Sequence, residues 1–345
     1  MNVRFGLIGY GAWGGRHAAA IDSTEGAELT AIAARSPESQ ARARADWPGV
    51  RVFGDYRELL ASEDVDIADI VVPNFLHGPV GKAALEAGKH VLLEKPMATT
   101  AAECFELRRL AEERDRRLMV GFELRLSQLW GGVKDLIERG ELGELRYVLI
   151  ELWRRPYRPG ADGWRYDIDR VGDWILEEPV HFFDLARWYC AGLGEPVSIF
   201  AAGNSIQEGQ PELQDTFSAI LRYADGAQAV ITHTLAAFEH HQTVKAAGTK
   251  GSAWARWSGA LDRDEHPSWS LRFAVGEDAQ DIDVGSKTGE LVDLGDEIRM
   301  AVETVRGERA AAADATDGYW SVALCEAAQQ SIERGVEVDL APFRP

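Results

Sequence analysis

An apolar strand, Val3–Ile8, runs without a spacer into Gly9-Tyr10-Gly11-Ala12-Trp13-Gly14, and residues 15–21 then read as a helix. No other stretch restricts the fold as tightly. Gly9 permits a tight turn, Gly11 lets the backbone approach a pyrophosphate, and Gly14 lets helix and strand pack closely. The helix N-terminus offers N–H groups to the phosphates. Glycine-rich turns are common on their own; this one gains a mechanism from its place between a buried strand and a helix. The unit predicts a dinucleotide held at Gly9, Gly11, Ala12, Trp13 and Gly14.

Strand and helix keep alternating as far as residue 122, as a doubly wound parallel sheet requires. Strands are expected at 29–34, 50–53, 67–72, 90–94 and 118–122, with helices at 37–45, 56–61, 78–87 and 100–114. The second strand should end at the adenosine ribose, where an NAD site usually places an acidic residue. Here Ala34 stands there, followed by Arg35 and Ser36. An uncharged pocket beside a guanidinium and a hydroxyl suits a 2′-phosphate, so NADP is expected ahead of NAD. The alternative is an Arg35 that points to solvent. Ser36 also fits the N-cap of the following helix, with Pro37 at its first position.

Residues 90–96, HVLLEKP, form a buried apolar run that stops in Glu94, Lys95 and Pro96. Charges directly after a buried strand lie where open α/β sheets bind ligands. A partly desolvated Lys95 there suits proton transfer or the polarising of an oxygen. Taken alone, the motif is equally a surface turn.

Beyond residue 122 the pattern changes. A helix at 129–139 and a strand at 145–153 precede an irregular stretch, 154–176, rich in Arg, Trp, Tyr, Gly and Asp. Strands follow at 197–206, 216–223, 228–235 and 243–247, with a hairpin turn over 223–226 and one or two more strands within 250–290. Late helices are expected at 290–305 and 320–334. Runs of strands with few helices between them mean a mostly antiparallel open sheet, so residues 123–345 read as an α+β domain behind an N-terminal Rossmann domain at 1–122. The whole chain is of the α/β class.

Pro179 opens a helix, which sets His181 in its first turn, where the positive dipole end disfavours imidazolium. A neutral imidazole is what a base taking an alcohol proton needs. Asp184, three residues on, shares that face and is expected to fix the ring tautomer. Glu177 has two rival roles: binding a substrate hydroxyl, or favouring the helix N-terminus electrostatically. Trp153, Arg154, Trp164, Arg165, Asp173 and Trp174 are candidate substrate contacts, since aromatic faces suit a carbohydrate ring and arginines a carboxylate. Core packing is the competing role for each tryptophan. His240 and His241 lack carboxylate or Cys partners at ligand spacing, so no metal is assigned, and an exposed pair is expected.

A net charge of −19 over 345 residues argues against nucleic acid or an anionic membrane as partner. Cys104, Cys190 and Cys325 are odd in number and far apart, which points to a reducing compartment without structural zinc. No signal-peptide pattern or long apolar span is visible, so cytoplasm is expected.

GYGAWG at 9–14, PNFLH at 73–77 and EAGKHVLLEKPMA at 86–98 resemble the glucose–fructose oxidoreductase/inositol dehydrogenase/MocA (Gfo/Idh/MocA) family, and the similarity covers nearly the whole chain. The resemblance implies an NAD(P)-dependent oxidoreductase passing a hydride between the nicotinamide and a secondary alcohol or ketone of a sugar, cyclitol or related polyol. It implies cofactor contacts at Pro73, Asn74, His77, Glu94 and Lys95. The family places an Asp-x-Gly-x-His-x-x-Asp string ahead of its helix; this chain has Glu177-Glu178-Pro179-Val180-His181-Phe182-Phe183-Asp184. Lys95, His181 and Glu177, in the Asp position, are therefore the implied catalytic residues. Glu for Asp and Pro for Gly point to an atypical substrate. A lyase or glycosidase using transient oxidation, or a non-catalytic sensor, are the competing functions. A homo-oligomer, dimer or tetramer, would use the open sheet face.

Overall fold

In the computed structural model, which describes residues 2–285 and 288–344, the first 121 residues alternate strand and helix. The strands are β1 (Val3–Ile8), β2 (Ala27–Ala33), β3 (Arg51–Phe53), β4 (Ile67–Ile70), β5 (His90–Glu94) and β6 (Leu118–Gly121). Between them lie α1 (Ala12–Ser23), α2 (Pro37–Asp46), α3 (Tyr56–Leu60), α4 (His77–Glu86) and α5 (Ala101–Glu113). The strands pair in parallel in the order β3-β2-β1-β4-β5-β6, which reverses direction between β1 and β4. Dinucleotides bind at such a reversal, beyond the carboxyl ends of the strands. Phe5, Leu7, Ile67, Ile70, Val91 and Leu93 are fully buried, as strands covered on both faces require.

Sequence signals set the helix ends. Ser36 caps α2 by accepting from Ser39 N at 3.1 Å, and Pro37 follows at the first position. Of the two threonines ahead of α5, Thr100 is the cap, accepting from Glu103 N at 3.2 Å. Helix α1 begins at Ala12, three residues before the expected start, because Gly11 already serves as its N-cap.

The chain divides into two compact units: Met1–Glu123 with Leu291–Tyr319, and Leu124–Glu290 with Trp320–Pro345. A division at 122 therefore misassigns a late segment. Most of α10 (Glu290–Val305) belongs to the first unit. It buries Leu294, Ile298, Ala301 and Val302. The chain after it pairs with β6, where Val120 N donates to Ala313 O at 3.2 Å. An amphipathic stripe shows that a helix will bury one face, but not against which sheet.

The second unit contains α6 (Gln128–Glu138) and β7 (Leu145–Arg154), then the short helices α7 (Ile168–Val171) and α8 (Trp174–Glu177) and the longer α9 (Val180–Tyr189). Strands β8 (Ser198–Asn204), β9 (Thr216–Arg222), β10 (Gln228–Thr234), β11 (His240–Gly248), β12 (Gly251–Gly259), β13 (Ser268–Val275) and β14 (Asp278–Ile282) follow. Helix α11 (Ala315–Arg334) enters this unit at Trp320 and leads to β15 (Val338–Asp339). The sheet order is β14-β13-β12-β11-β7-β10-β9-β8-β15; β7 and β10 pair in parallel and the other neighbours antiparallel. The hairpin turn after β9 closes as expected, with Gly226 at φ +88°. Residues 250–290 supply three strands rather than one or two; 286 and 287, near the end of that stretch, lie outside the described residues. Residues 154–176 are ordered by α7, α8 and a turn of 3-10 helix at Ala161–Tyr166. No helix among the described residues is long and apolar enough to cross a membrane.

The glycine turn shows why its positions differ. Gly9 has φ +105°, and a Cβ there would lie 2.0 Å from Val71 O. A Cβ on Gly14 would lie 2.0 Å from Gly9 O, whereas one on Gly11 would meet no protein atom within 4 Å. Gly9→Ala should therefore cost roughly 2 kcal/mol or more, while Gly11→Ala should stay within about 0.5 kcal/mol of wild type. Denaturant melts of the two variants check this; equal losses would contradict the steric assignment.

Candidate functional site

In the first unit the candidate site is built at the carboxyl ends of β1, β4 and β5. Gly9 N donates to Ala33 O at 2.9 Å, and α1 starts with Gly15 N to Gly11 O at 3.1 Å. The first turn of a helix is where backbone amides are available to a phosphate. The open space over Gly11 fits a pyrophosphate, because nothing in the chain itself requires glycine there. Arg42 of α2 donates to Tyr10 O and lies 5.1 Å from the Tyr10 ring, which fixes the turn from its far side.

At the end of β2, Ala34 is buried and Arg35 is exposed. Ser36 spends its hydroxyl on the α2 cap and on Ser39 Oγ at 3.0 Å. Pro73 is extended, and buried Asn74 starts a turn of 3-10 helix. His77, expected as a cofactor contact, is instead buried between two carbonyls: Nδ1 lies 2.5 Å from Pro96 O and Nε2 2.7 Å from Val72 O. Burial lowers its pKa. The ring pins the loops after β4 and β5 and has no nitrogen left for a ligand. Lys95 follows β5 directly and is half-buried.

Glu94 is tied inward. Trp13 Nε1 donates to its Oε1 at 2.6 Å, and His17 Nε2 donates to the same oxygen at 3.1 Å. His17 Nδ1 donates to Asp69 Oδ2 at 2.9 Å. Burial would raise the Glu94 pKa, but His17, Lys95 and Trp13 hold it down at about 2. Burial would lower that of His17, yet Asp69 and Glu94 hold it well above the usual imidazole range. Glu297 of α10 shares the space and is pushed up to about 8 by burial and by the Glu94 charge. His17, Asp69 and Glu297 were not singled out in the sequence. The i,i+4 spacing of Trp13 and His17 is a usable signal, since it puts both on one face of α1; Glu297, about 280 residues further on, gives none.

In the second unit, Pro179 is the N-cap of α9 rather than its first residue, with φ −59° and ψ −17°. His181 is the second residue of α9, still in the first turn, and buried. Asp184, expected to steer the His181 ring, forms a buried two-point pair with Arg125 at 2.7 and 2.6 Å and accepts from Ser321 Oγ at 3.3 Å. Arg125 was missed because its partner lies 59 residues away. Glu177 ends α8 and pairs with Arg165, whose guanidinium lies 4.5 Å from the Trp164 ring.

Several expected substrate contacts prove to be packed. Trp174 is completely buried, donates to Arg165 O at 2.7 Å and clusters with Tyr157, Trp164, Val171, Leu213 and Leu235. Trp164 is 8% exposed in the same cluster. Asp173 caps α8 through Leu176 N at 2.5 Å, and burial pushes it up to about 7. Arg154 is buried, paired with Glu178 and 3.6 Å from Asp262. Trp153 stands exposed on β7. His240 is buried against Glu178 and Gln242, contrary to the expected exposed pair, and burial with Arg154 lowers it to about 4. An irregular loop rich in aromatics makes its own core, which composition does not separate from a binding surface.

Glu297 has a pH consequence. Its folded pKa exceeds its unfolded value of 4.5, so the folded chain keeps a proton the unfolded chain loses. The associated stability is present below about pH 4.5 and declines as pH rises toward about 8, by a few kcal/mol in order of magnitude. Glu297→Gln should remove that decline. Thermal melts from pH 5 to 9 should show a variant-minus-wild-type difference that grows with pH; a flat difference would mean Glu297 titrates normally.

Comparison with known proteins agrees with both units. The model for the oxidoreductase family with an NAD-binding Rossmann fold matches residues 3–122, and that for the GFO/IDH/MocA C-terminal domain matches 131–254. An uncharacterised oxidoreductase of Escherichia coli K12, YdgJ, is 34% identical over 73% of this chain and 70% of its own length. Inositol 2-dehydrogenase of Corynebacterium glutamicum ATCC 13032 is 28% identical over 99% of this chain and 97% of its own. Among solved structures, the WlbA dehydrogenase of Bordetella pertussis, in complex with NADH and UDP-GlcNAcA, has a TM-score of 0.81 at 27% identity, covering 99% of each chain. The chain belongs to the GFO/IDH/MocA oxidoreductase family.

Proposed function

We propose that the protein is an NAD(P)-dependent dehydrogenase that interconverts a secondary alcohol and a ketone on a cyclitol, sugar or related polyol. The observation that carries this is the first unit's strand-end geometry: an open Gly11 at the N-terminus of α1, after β1, and a half-buried Lys95 at the end of β5, two strands along the same sheet. The inositol dehydrogenase relative supports the polyol class. The nicotinamide, when bound, accepts or returns the hydride.

The chain's own groups handle charge and protons. Lys95 donates to the reacting oxygen and stabilises the negative charge that develops on it. His181, in the first turn of α9, takes the hydroxyl proton, a task that requires the neutral ring. Glu177, oriented by Arg165, accepts from a second substrate hydroxyl. Lys95→Ala should lower turnover by about 10²-fold or more while cofactor affinity stays within a few-fold. Oxidation should slow as pH falls through the His181 titration, and His181→Asn should abolish that limb. Steady-state kinetics on a polyol and sugar-acid panel check both; wild-type turnover in Lys95→Ala, or a surviving limb in His181→Asn, would remove that residue from its role.

NADP is the preferred cofactor in this reading. No carboxylate stands at Ala34 to repel a 2′-phosphate, and Arg35 beside it is exposed and cationic. A charge-assisted contact is worth roughly 1.5–3 kcal/mol, or about ten- to a hundredfold in affinity. Arg35→Ala should lower NADP affinity by that factor and leave NAD nearly unchanged. Calorimetric titration of both cofactors decides; equal losses, or a wild-type preference for NAD, would refute the assignment.

The reading includes assembly through the outer face of the nine-stranded sheet. Phe200, Ile220, Val230, Leu149, Lys245 and Trp254 stand in one cross-strand row from β8 to β12, with Phe200 40% and Trp254 56% exposed. A row of this kind, apolar except for Lys245, fits a second copy in a dimer or tetramer. The buried thiols of Cys104, Cys190 and Cys325 suit the cytoplasm.

A further inference from the structure

We propose that His17 is a positioning residue of the dinucleotide site, tying Asp69 on β4 to Glu94 at the end of β5 and, through Glu94, holding the Trp13 indole of the glycine turn. The role rests on the dehydrogenase reading above, because it concerns how the first unit shapes its cofactor site.

The geometry requires a charged ring. His17 is wholly buried, and each ring nitrogen faces a carboxylate oxygen, at 2.9 Å on Asp69 and 3.1 Å on Glu94. An ionised carboxylate only accepts, so a ring between two of them carries hydrogen on both nitrogens. A neutral tautomer would turn one lone pair against a buried negative charge. The Trp13 ring meets His17 edge-on, with centroids 5.5 Å apart at 77°, and places its N–H on the Glu94 oxygen that His17 already holds.

The four residues come from three elements whose ends form the ligand side of the sheet. Trp13 lies within the glycine turn, and Glu94 directly precedes Lys95. Asp69 sits on β4 between β1 and β5, paired in register with Leu7 and Leu92. Turn and EKP strand end are therefore fixed to each other through one imidazolium. The charged groups facing it are Asp69 and Glu94 from the strands, with Glu297 and Asp293 of α10 contributing further acid around the cluster. A cluster kept only for packing would be served as well by apolar side chains, since burying ions is costly unless their geometry is used. Here that geometry fixes Trp13 and Glu94.

The test uses the full chain. Wild type, His17→Gln and Trp13→Phe are titrated calorimetrically with NAD and NADP, and wild type labelled with 15N-histidine is followed by NMR from pH 6 to 9. Expected are a His17 ring with both nitrogens protonated at pH 8, and cofactor Kd raised about tenfold or more in His17→Gln and a few-fold in Trp13→Phe. Substrate KM at saturating cofactor should change less than about threefold. A neutral His17 tautomer at pH 7 overturns the proposal. So do unchanged cofactor affinities in variants that melt at lower temperature, since those mark a structural role alone. If His17→Gln fails to fold, Trp13→Phe and the NMR titration decide. A wild type that binds neither dinucleotide overturns the dehydrogenase reading and this role with it; a wild type that binds while the variants bind equally well overturns this role only.

Discussion

The first unit depends on how closely two pieces of backbone approach at the end of β1. Gly9 lies so near Val71 O, and Gly14 so near Gly9 O, that any side chain at either position would occupy space already filled. That approach brings the N-terminus of α1 over the strand ends and aims its first-turn amides outward. Gly11 differs in kind. Its freedom from neighbours leaves room for something that is not protein. One motif thus contains two steric reasons for glycine, internal packing and external access, and only coordinates separate them.

Electrostatics then decide which charged groups serve the site and which serve the frame. Glu94 and Lys95 are adjacent in sequence but have different surroundings: Glu94 is bound inward by Trp13 and His17, while Lys95 is half-buried. In the second unit the residues flanking His181 divide in the same way. Glu178 is spent on Arg154 and Asp184 on Arg125, and Glu177 is held by Arg165. Buried charges without partners are expensive, so Arg125, Arg154 and Arg165 supply them. Glu177 reaches Arg165, and Pro179 takes the N-cap of α9.

Much of the fold was legible because its signals are local. Ser36-Pro37 and Thr100 set helix starts, Gly226 set a hairpin, and the apolar run at β5 set a buried parallel strand. The glycine turn is likewise legible as the strand–turn–helix that opens the parallel sheet. Misreadings fell where partner identity matters more than residue type. His77, an expected cofactor contact, has its two ring nitrogens against the backbone carbonyls of Val72 and Pro96. Trp164 and Trp174, candidate substrate contacts with core packing as the competing role, pack into one buried cluster with Tyr157, Val171, Leu213 and Leu235.

What the sequence by itself determined is the succession of elements, the parallel class of the first sheet and the turn that opens it, because periodicity, capping and glycine geometry act over a few residues. What only the tertiary structure decided is which charges meet. Glu297 reaches the His17–Asp69–Glu94 cluster from a helix late in the chain, Arg125 takes Asp184 from 59 residues away, and Leu291–Tyr319 joins the first unit rather than the second. The reason is physical. A buried charge is stabilised by whichever opposite charge or proton the packed chain brings near it, and nothing in the local pattern records where that partner will come from.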